Sequence, residues 1–425
     1  MFGRRSKKQE RLTELADQWE SFREMDRELE SISRYHQLLL GKTKHKHLNQ
    51  KVIDDLDLLN VFAVIDHTES SIGQQYLYHT LCTPQFEKTA LLERERRIEA
   101  LCAQQDNRLD IQYSLDQMMG RGDSYIPLLF LSEFPEKPKW FWLIRCMQLL
   151  VGACLMGAII FPFLLIPLIV ILPINAFLHY ANKRNISLLF LAFQRLRQMH
   201  RCGQQLQQLA DEHFPAKETL GKLGPIVRKV AWLSTDNFQN RGEIMGLIWN
   251  LIELLKMLFL IDVGLFHQVR DDIRKEQQSI HQLYVAIGEI DVCLSIASLR
   301  ASDARWHLPE FLSAGKQISV QGICHPTVPD CVPNDLALNG RSVLLTGSNM
   351  AGKTTFIRTI AINAILAQTI HCVLAEKYMA PFWEVYSQIR ISDSVEDAKS
   401  YYQAEVEGMK DMLVCSEETS PQKLF

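Results

Sequence analysis

Between Arg145 and Lys183 the chain runs for 37 residues without a single Asp, Glu, Lys or Arg. About 20 apolar residues make one crossing of a bilayer, so this block is too long for one upright helix and fits two short helices joined by a tight turn. Pro162, Pro167 and Pro173 offer places for the turn or for kinks. Trp140, Phe141 and Trp142 at one end and Tyr180 at the other suit an interfacial belt. Lys137, Lys139 and Arg145 precede the block, and Lys183 and Arg184 follow it. The positive-inside bias then puts both flanks in the cytoplasm, which requires an even number of crossings. A buried hairpin of a soluble core and one long tilted span are the alternatives. The first would normally show a polar face, and the clearly polar side chains here are Gln148, Asn175, His179 and Asn182. The second would place the two ends of the chain on opposite sides. The expectation is a two-helix transmembrane hairpin meeting the membrane through residues 143–180, in a multi-pass cell-membrane protein whose soluble parts are both cytoplasmic.

The remaining composition describes a body around that anchor. At 425 residues the chain has length for two or three domains. Ten cysteines occur without a C-x-x-C pair, so cysteine spacing indicates neither a zinc site nor a disulfide framework. The first thirty residues are charged and lack the apolar segment of a cleavable signal. A net charge of −3 argues against a broad nucleic-acid-binding surface, although a local patch fits within a balanced total.

Residues 1 to about 40 read as a charged amphipathic helix opened by Arg4, Arg5, Lys7 and Lys8, a cluster that suits a solvated terminus or an anionic lipid surface. Lys42, Lys44, His45, Lys46 and His47 form a second basic run in a loop. Ser70 or Ser71 is a natural N-cap for a helix carrying Tyr76, Leu77 and Leu81 on one face, and Leu91 to Leu101 is again helical in period. Gly120 to Ser124 breaks the pattern, and its Arg-Gly-Asp-Ser tetrapeptide reads as a turn. Ser187 to Leu209 and Glu243 to Ala301 read as long helices, the second interrupted only by Gly246, Gly264 and Gly288.

The chemistry of the chain lies near its other end. Gly347-Ser348-Asn349-Met350-Ala351-Gly352-Lys353-Thr354 fills the phosphate-loop pattern G-x-x-x-x-G-K-[ST]. A β-prone run, Ser342 to Leu345, comes before it, and Phe356 to Gln368 follows at helical spacing. Strand, glycine loop, helix is the order that aims backbone N–H groups and the positive end of a helix at phosphate. Lys353 is then the charge reaching the β- and γ-phosphates, and the Thr354 hydroxyl is placed to ligate Mg²⁺. Gly347 to Thr355 is therefore the expected binding site for ATP and Mg²⁺, with Lys353 and Thr354 in the catalytic roles.

From His325-Pro326, through Val332-Pro333-Asn334-Asp335, to the segment LLTGSNMAGKTTFIRTIAINAILAQ, the chain resembles the start of the ATPase domain of the MutS family of mismatch-repair ATPases. Asn349-Met350 inside the loop is a trait of that family rather than a demand of phosphate binding. Asp66, Thr68, Ser70, Gly73, Leu77, Leu81 and Pro84 resemble the entry to the MutS helical core, and IGEIDVCLSIASLRA from Ile287 resembles the helix returning from the lever. Ser392-Asp393 and the spacing Ser400, Tyr402, Glu405 resemble the family loop S-x-F-x-x-E-M, with Val406 in place of Met. The resemblance implies that Ser400 reaches the nucleotide of a partner subunit, in a homodimer formed through the ATPase domain.

The departures are equally specific. Nothing resembles the mismatch-reading domain with its Phe-x-Glu wedge, and the apolar block interrupts the helical core. A P-loop ATPase also needs an apolar strand ending in Asp-Glu to hold Mg²⁺ and orient water. Val385 to Ile391 leads only to Asp393, and Gln422-Lys423-Leu424-Phe425 looks like the beginning of the required strand. The expectation is an incomplete MutS-like ATPase with impaired hydrolysis. Its fold class is α plus α/β: a helical core and lever interrupted by a transmembrane hairpin, followed by the N-terminal part of a P-loop domain. The expected segments are a charged helix at 1–50, a first part of the core at 51–138, the hairpin at 139–182, the lever at 183–312 and the ATPase domain at 313–425. A non-hydrolysing membrane adaptor switched by nucleotide and an ATPase subunit of a transporter-like assembly are the other classes. DNA remains an open partner.

Overall fold

The structure is a computed structural model that describes residues 2–21, 29–42, 46–120, 122–134, 136, 141–185, 187–210, 214, 216–233, 251–252, 254–313, 315–348, 351–389, 406, 408–410, 412–414 and 422–425. The chain forms two compact units, one of Met1–Met119 with Ile287–Phe425, the other of Gly120–Ala286.

The first unit opens with α1 (Phe2–Asp17), α2 (Leu29–Leu39), α3 (Gln50–Asp55), α4 (Leu58–Ile65), α5 (Ser71–Leu81), α6 (Lys88–Cys102) and α7 (Gln105–Asp116). The single helix expected over residues 1–40 is thus two helices, with a turn after Asp17. Lys7 and Lys8 of the basic start of α1 are exposed; Lys8 donates to Asp110 at 2.8 Å and, further along, Arg11 donates to Asp116 at 2.7 Å, fastening α1 to α7. Ser70 caps α5 by accepting from Gly73 N at 2.9 Å, as the sequence indicates.

The second unit contains α8 (Leu128–Leu131), α9 (Phe141–Ala158), α10 (Ile166–Asn185), α11 (Ser187–Leu209), α12 (Lys217–Leu233) and α13 (Ile261–Lys275). Arg121 lies outside the described residues; after it Gly122 leads into a short 3-10 turn at Asp123–Tyr125, where Asp123 is buried beside Arg195 with Oδ1 and Nε 3.4 Å apart. The apolar block folds as α9 and α10, joined by a short 3-10 turn at Pro162–Leu165. The turn is tight enough that Phe161 N bonds to Gly157 O at 2.8 Å.

Much of the apolar side-chain surface of this hairpin is uncovered: Leu149 is 75% exposed, Ile159 78%, Ile169 72% and Phe177 72%. Its other side packs on the segment before α13, where Val151, Cys154, Leu168 and Ile171 meet Leu258, and Ile144 meets Leu260 and Val263. The long helical stretch expected from Glu243 to Ala301, of which residues 243–250 with Gly246 lie outside the described residues, breaks here. Leu260 turns into the left-handed region at φ 48 and is fully buried, and a second break falls at Glu276. Gly264 and Gly288, the positions where the pattern suggested interruption, lie inside helices. Burial of Leu260 decides where the chain turns, and a glycine within a helix does not by itself end it. The carbonyls freed by the break are satisfied, since Gln148 Nε2 donates to Phe259 O at 2.8 Å and Asn175 Nδ2 to Leu258 O at 2.6 Å.

The chain returns to the first unit along α14 (Gln277–Ser302) and continues through β1 (Trp306–His307), β2 (Glu310–Phe311), β3 (Gln317–Ile323), β4 (Asn334–Asn339), α15 (Lys353–Thr369), β5 (Val373–Leu374), β6 (Lys377–Ala380), β7 (Trp383–Val385) and β8 (Gln422–Leu424). The largest sheet has the order β2-β6-β3-β4, β1 pairs antiparallel with β5, and β7 pairs parallel with β8. This mixed, mainly helical architecture is compatible with the expected α plus α/β class.

The segment likened to the entry of the helical core and the one likened to the helix returning from the lever lie against each other in this unit. The Asp291 carboxylate on α14 accepts from Glu69 N at 2.8 Å and Ser70 N at 2.9 Å, and also from Ser70 Oγ. His67 N donates to Ser295 Oγ at 3.0 Å. Only glycine fits at position 73, because a Cβ there would lie 2.0 Å from Asp291 Oδ2.

A phosphate-loop candidate site at the start of α15

Helix α15 begins at Lys353 rather than Phe356, and its first turn is the phosphate-loop sequence itself. Gly352 stands at the N-cap with φ 81, a left-handed conformation that costs a side-chain-bearing residue about 1–2 kcal/mol. The Lys353 side chain folds back over the loop, its ammonium donating to Gly347 O at 2.7 Å and Ser348 O at 2.5 Å. Ala351 N bonds to Ser348 O at 3.3 Å, which closes the turn below that ammonium. Thr354 and Thr355 are exposed at the helix start, where the axial dipole is positive. Gly347, Ser348, Ala351, Gly352, Lys353, Thr354 and Thr355 thus lie together; Asn349 and Met350 fall outside the described residues.

The helix is held by two buried amides for which the sequence gives no conspicuous signal. Asn363 donates to Cys324 O at 3.1 Å and accepts from Leu374 N at 2.8 Å. Gln368 donates to Trp383 O at 2.9 Å and accepts from Trp383 N at 2.6 Å. Each side chain occupies the place of a neighbouring strand's peptide group, so the two amides fix α15 against β5 and β7. Ahead of the loop, Asp335 accepts from Gly322 N at 2.8 Å and Asn334 donates to Val332 O at 2.8 Å, which orders the start of β4.

Two expectations about this region are not met. Ser342–Leu345 does not form a strand, and Leu344 is 89% exposed. None of the described strands pairs with it, and β-propensity without a ladder does not hold a strand in water. Val385 to Ile391, read as a possible strand leading to Asp393, is strand only at Val385, the end of β7, and Arg390 and Ile391 lie outside the described residues. Beyond β7, Asp55 accepts from Ser387 Oγ at 2.8 Å and Ile389 N at 3.0 Å, drawing the backbone away from a ladder. Asp393, Ser400, Tyr402 and Glu405 lie outside the described residues, and Val406 is exposed. Gln422–Leu424 does form a strand, β8.

Residues 343–421 match the family model of MutS domain V. The chain is 34% identical over 146 residues to the DNA mismatch repair protein MutS of Thermus thermophilus, an alignment covering 33% of this chain and 18% of that protein. It is 32% identical over 155 residues to the protein of the same name from Geobacillus kaustophilus, covering 34% and 17%. For that of Halalkalibacterium halodurans the identity is 31% over 155 residues, covering 34% and 18%. The chain thus spans less than a fifth of the length of these relatives. The region matched by the family model contains the phosphate loop and α15, so the similarity to MutS falls on the candidate site.

Proposed function

We propose that this chain is a membrane-anchored, MutS-like ATP-binding protein in which Gly347 to Thr355 receives the phosphates of MgATP. The observation that carries this reading is the Lys353 ammonium, held at 2.7 Å and 2.5 Å over the carbonyls of Gly347 and Ser348 at the start of a 17-residue helix. A phosphate entering there exchanges those two carbonyl contacts for charge-assisted bonds to its own oxygens. Backbone N–H groups of the loop and the first turn of α15 supply the remaining donors. Thr354, exposed at the second helical position, would offer its hydroxyl to Mg²⁺, which would supply charge neutralisation for the phosphates.

Nucleotide acts as a switch between conformations, with Ser400 presented across a homodimer and DNA as the ligand on which the helical arms act.

The membrane part rests on α9 and α10. Helix α9 has 18 residues, about 27 Å at the helical rise, close to the ~30 Å hydrocarbon core, and it is mostly exposed. Helix α14 is also long and apolar, but it is mostly buried and carries Glu289, Asp291 and Arg300, so it is a core helix. Gln148 and Asn175 of the hairpin donate to carbonyls of a neighbouring segment, as side chains in a lipid-embedded bundle must.

A titration of the detergent-solubilised chain with fluorescent ATP tests the reading, with carbonate extraction of native membranes beside it. Saturable, Mg²⁺-dependent binding by a chain that stays in the pellet supports it. Absence of saturation overturns the nucleotide assignment, and release by carbonate overturns the anchor.

A further inference from the structure

Three histidines from separate stretches of the first unit converge on one point. His36 lies in the last turn of α2, His79 in the last turn of α5, and His47 in the segment leading to α3. One ring nitrogen from each falls within 4.8 Å of the others. His36 Nδ1 and His79 Nδ1 are 3.1 Å apart, and the His36 and His47 rings stand edge to face with centroids 5.2 Å apart. His36 is buried and the other two are half-buried. Tyr78 packs edge-on against His36, Tyr35 packs edge-on against His79, and Thr83 Oγ1 approaches His47 Nδ1 at 3.4 Å.

Chemically this is a set of nitrogen donors in a mostly apolar wall. Neutral imidazoles suit borderline divalent ions, whereas Mg²⁺ and Ca²⁺ select oxygen ligands. Zinc–nitrogen bonds of 2.0–2.1 Å in a tetrahedron put ligand atoms about 3.3 Å apart, near the observed 3.1 Å of the closest pair. A cation drawing in the third ring needs only a small side-chain adjustment. Three protein ligands leave a fourth position for water or an exogenous donor.

We propose that His36, His47 and His79 form a three-histidine site for a borderline divalent cation of the zinc class, stapling α2 and the segment before α3 to the end of α5. The site is distinct from the phosphate loop, and its ligands take no part in the MgATP chemistry.

The test uses the untagged full chain in detergent, freed of metal, with Co²⁺ as a spectroscopic probe and Zn²⁺ as competitor. The expected result is the visible absorption of tetrahedral Co²⁺, saturating at one equivalent per chain and bleached by Zn²⁺. His47→Ala and His79→Ala are each expected to lose it while keeping the helical circular dichroism of the parent, and Lys353→Ala is expected to retain it. Zn²⁺ should also raise the melting temperature of the parent and not of His47→Ala. Either of two results overturns the proposal: no saturable signal in the parent, or a signal undiminished in both histidine variants. The cluster would then be a set of packed, hydrogen-bonded rings only.

Discussion

Asn175 donates its side-chain amide to the main-chain carbonyl of Leu258 at 2.6 Å, so a polar residue of the apolar hairpin closes a bond opened by the break at Leu260. Replacing it by leucine leaves that carbonyl without its donor in apolar surroundings, at a cost of about 1–3 kcal/mol. Asn175→Leu is expected to lower the melting temperature in detergent. Gln148→Leu, which strands Phe259 O, should do the same, and a melting temperature unchanged in both variants would contradict the assigned role.

Gly73→Ala tests the junction of α5 with α14. The added methyl meets Asp291 Oδ2 at 2.0 Å, and Asp291 cannot retreat without releasing Glu69 N and Ser70. Overpacking of this kind costs about 1–3 kcal/mol, read as a lower denaturation midpoint. An unshifted midpoint would show that the carboxylate moves freely.

Gly352→Ala acts on the loop alone. Open space surrounds the glycine, so the penalty is conformational, about 1–2 kcal/mol for φ 81. ATP affinity is expected to fall by roughly tenfold, while the helical signal of the chain is kept. Isothermal titration resolves such a change, and parent-like affinity would contradict the assigned loop conformation.

Stability should fall as pH rises from about 6.5 to 8. Burial raises Asp123 and Asp291 to about 7, outweighing Arg195 at the first and the Ser70 and Glu69 donors at the second. A carboxyl whose folded pKa lies above its unfolded value contributes fully below the unfolded value and loses that contribution as pH climbs through the folded one. Groups of opposite sign act at lower pH. Glu95 is lowered to about 2 and Glu289 is lowered too, so their contributions fade only in acid. The lowered His36, His281 and His325 favour the folded state as pH rises towards 6.5 and add nothing further above it. Melting temperatures across the window should decline in the parent and decline less in Asp123→Asn. An equal slope in both would contradict the assignment.

Features set by local rules were legible in the sequence. The Ser70 cap, the bounds of α11 and the helix after the phosphate loop follow from side-chain chemistry and period. Features decided by distant partners were not. The apolar pattern runs straight through Leu260, and only its burial against Ile144 and Val263 turns the chain there. Ser342–Leu345 has the residues of a strand but no partner among the described strands, and Ser387 to Ile389 is diverted by an aspartate more than 300 residues away. The three histidines come from α2, α5 and a loop, and cysteine spacing carries no trace of them. Within the candidate site, Lys353 and Gly352 were readable from the motif, whereas Asn363 and Gln368, which hold the helix in place, look like ordinary polar positions.

The most direct measurement is the dissociation constant of MgATP for the detergent-solubilised chain beside that of Lys353→Ala, with helical content matched between the two. Loss of the ammonium that spans Gly347 and Ser348 removes a charged phosphate contact, and the account predicts saturable binding in the parent weakened by at least about tenfold in the variant. Equal affinity in the two proteins, or no binding in the parent, would contradict the assignment of this loop as the nucleotide site.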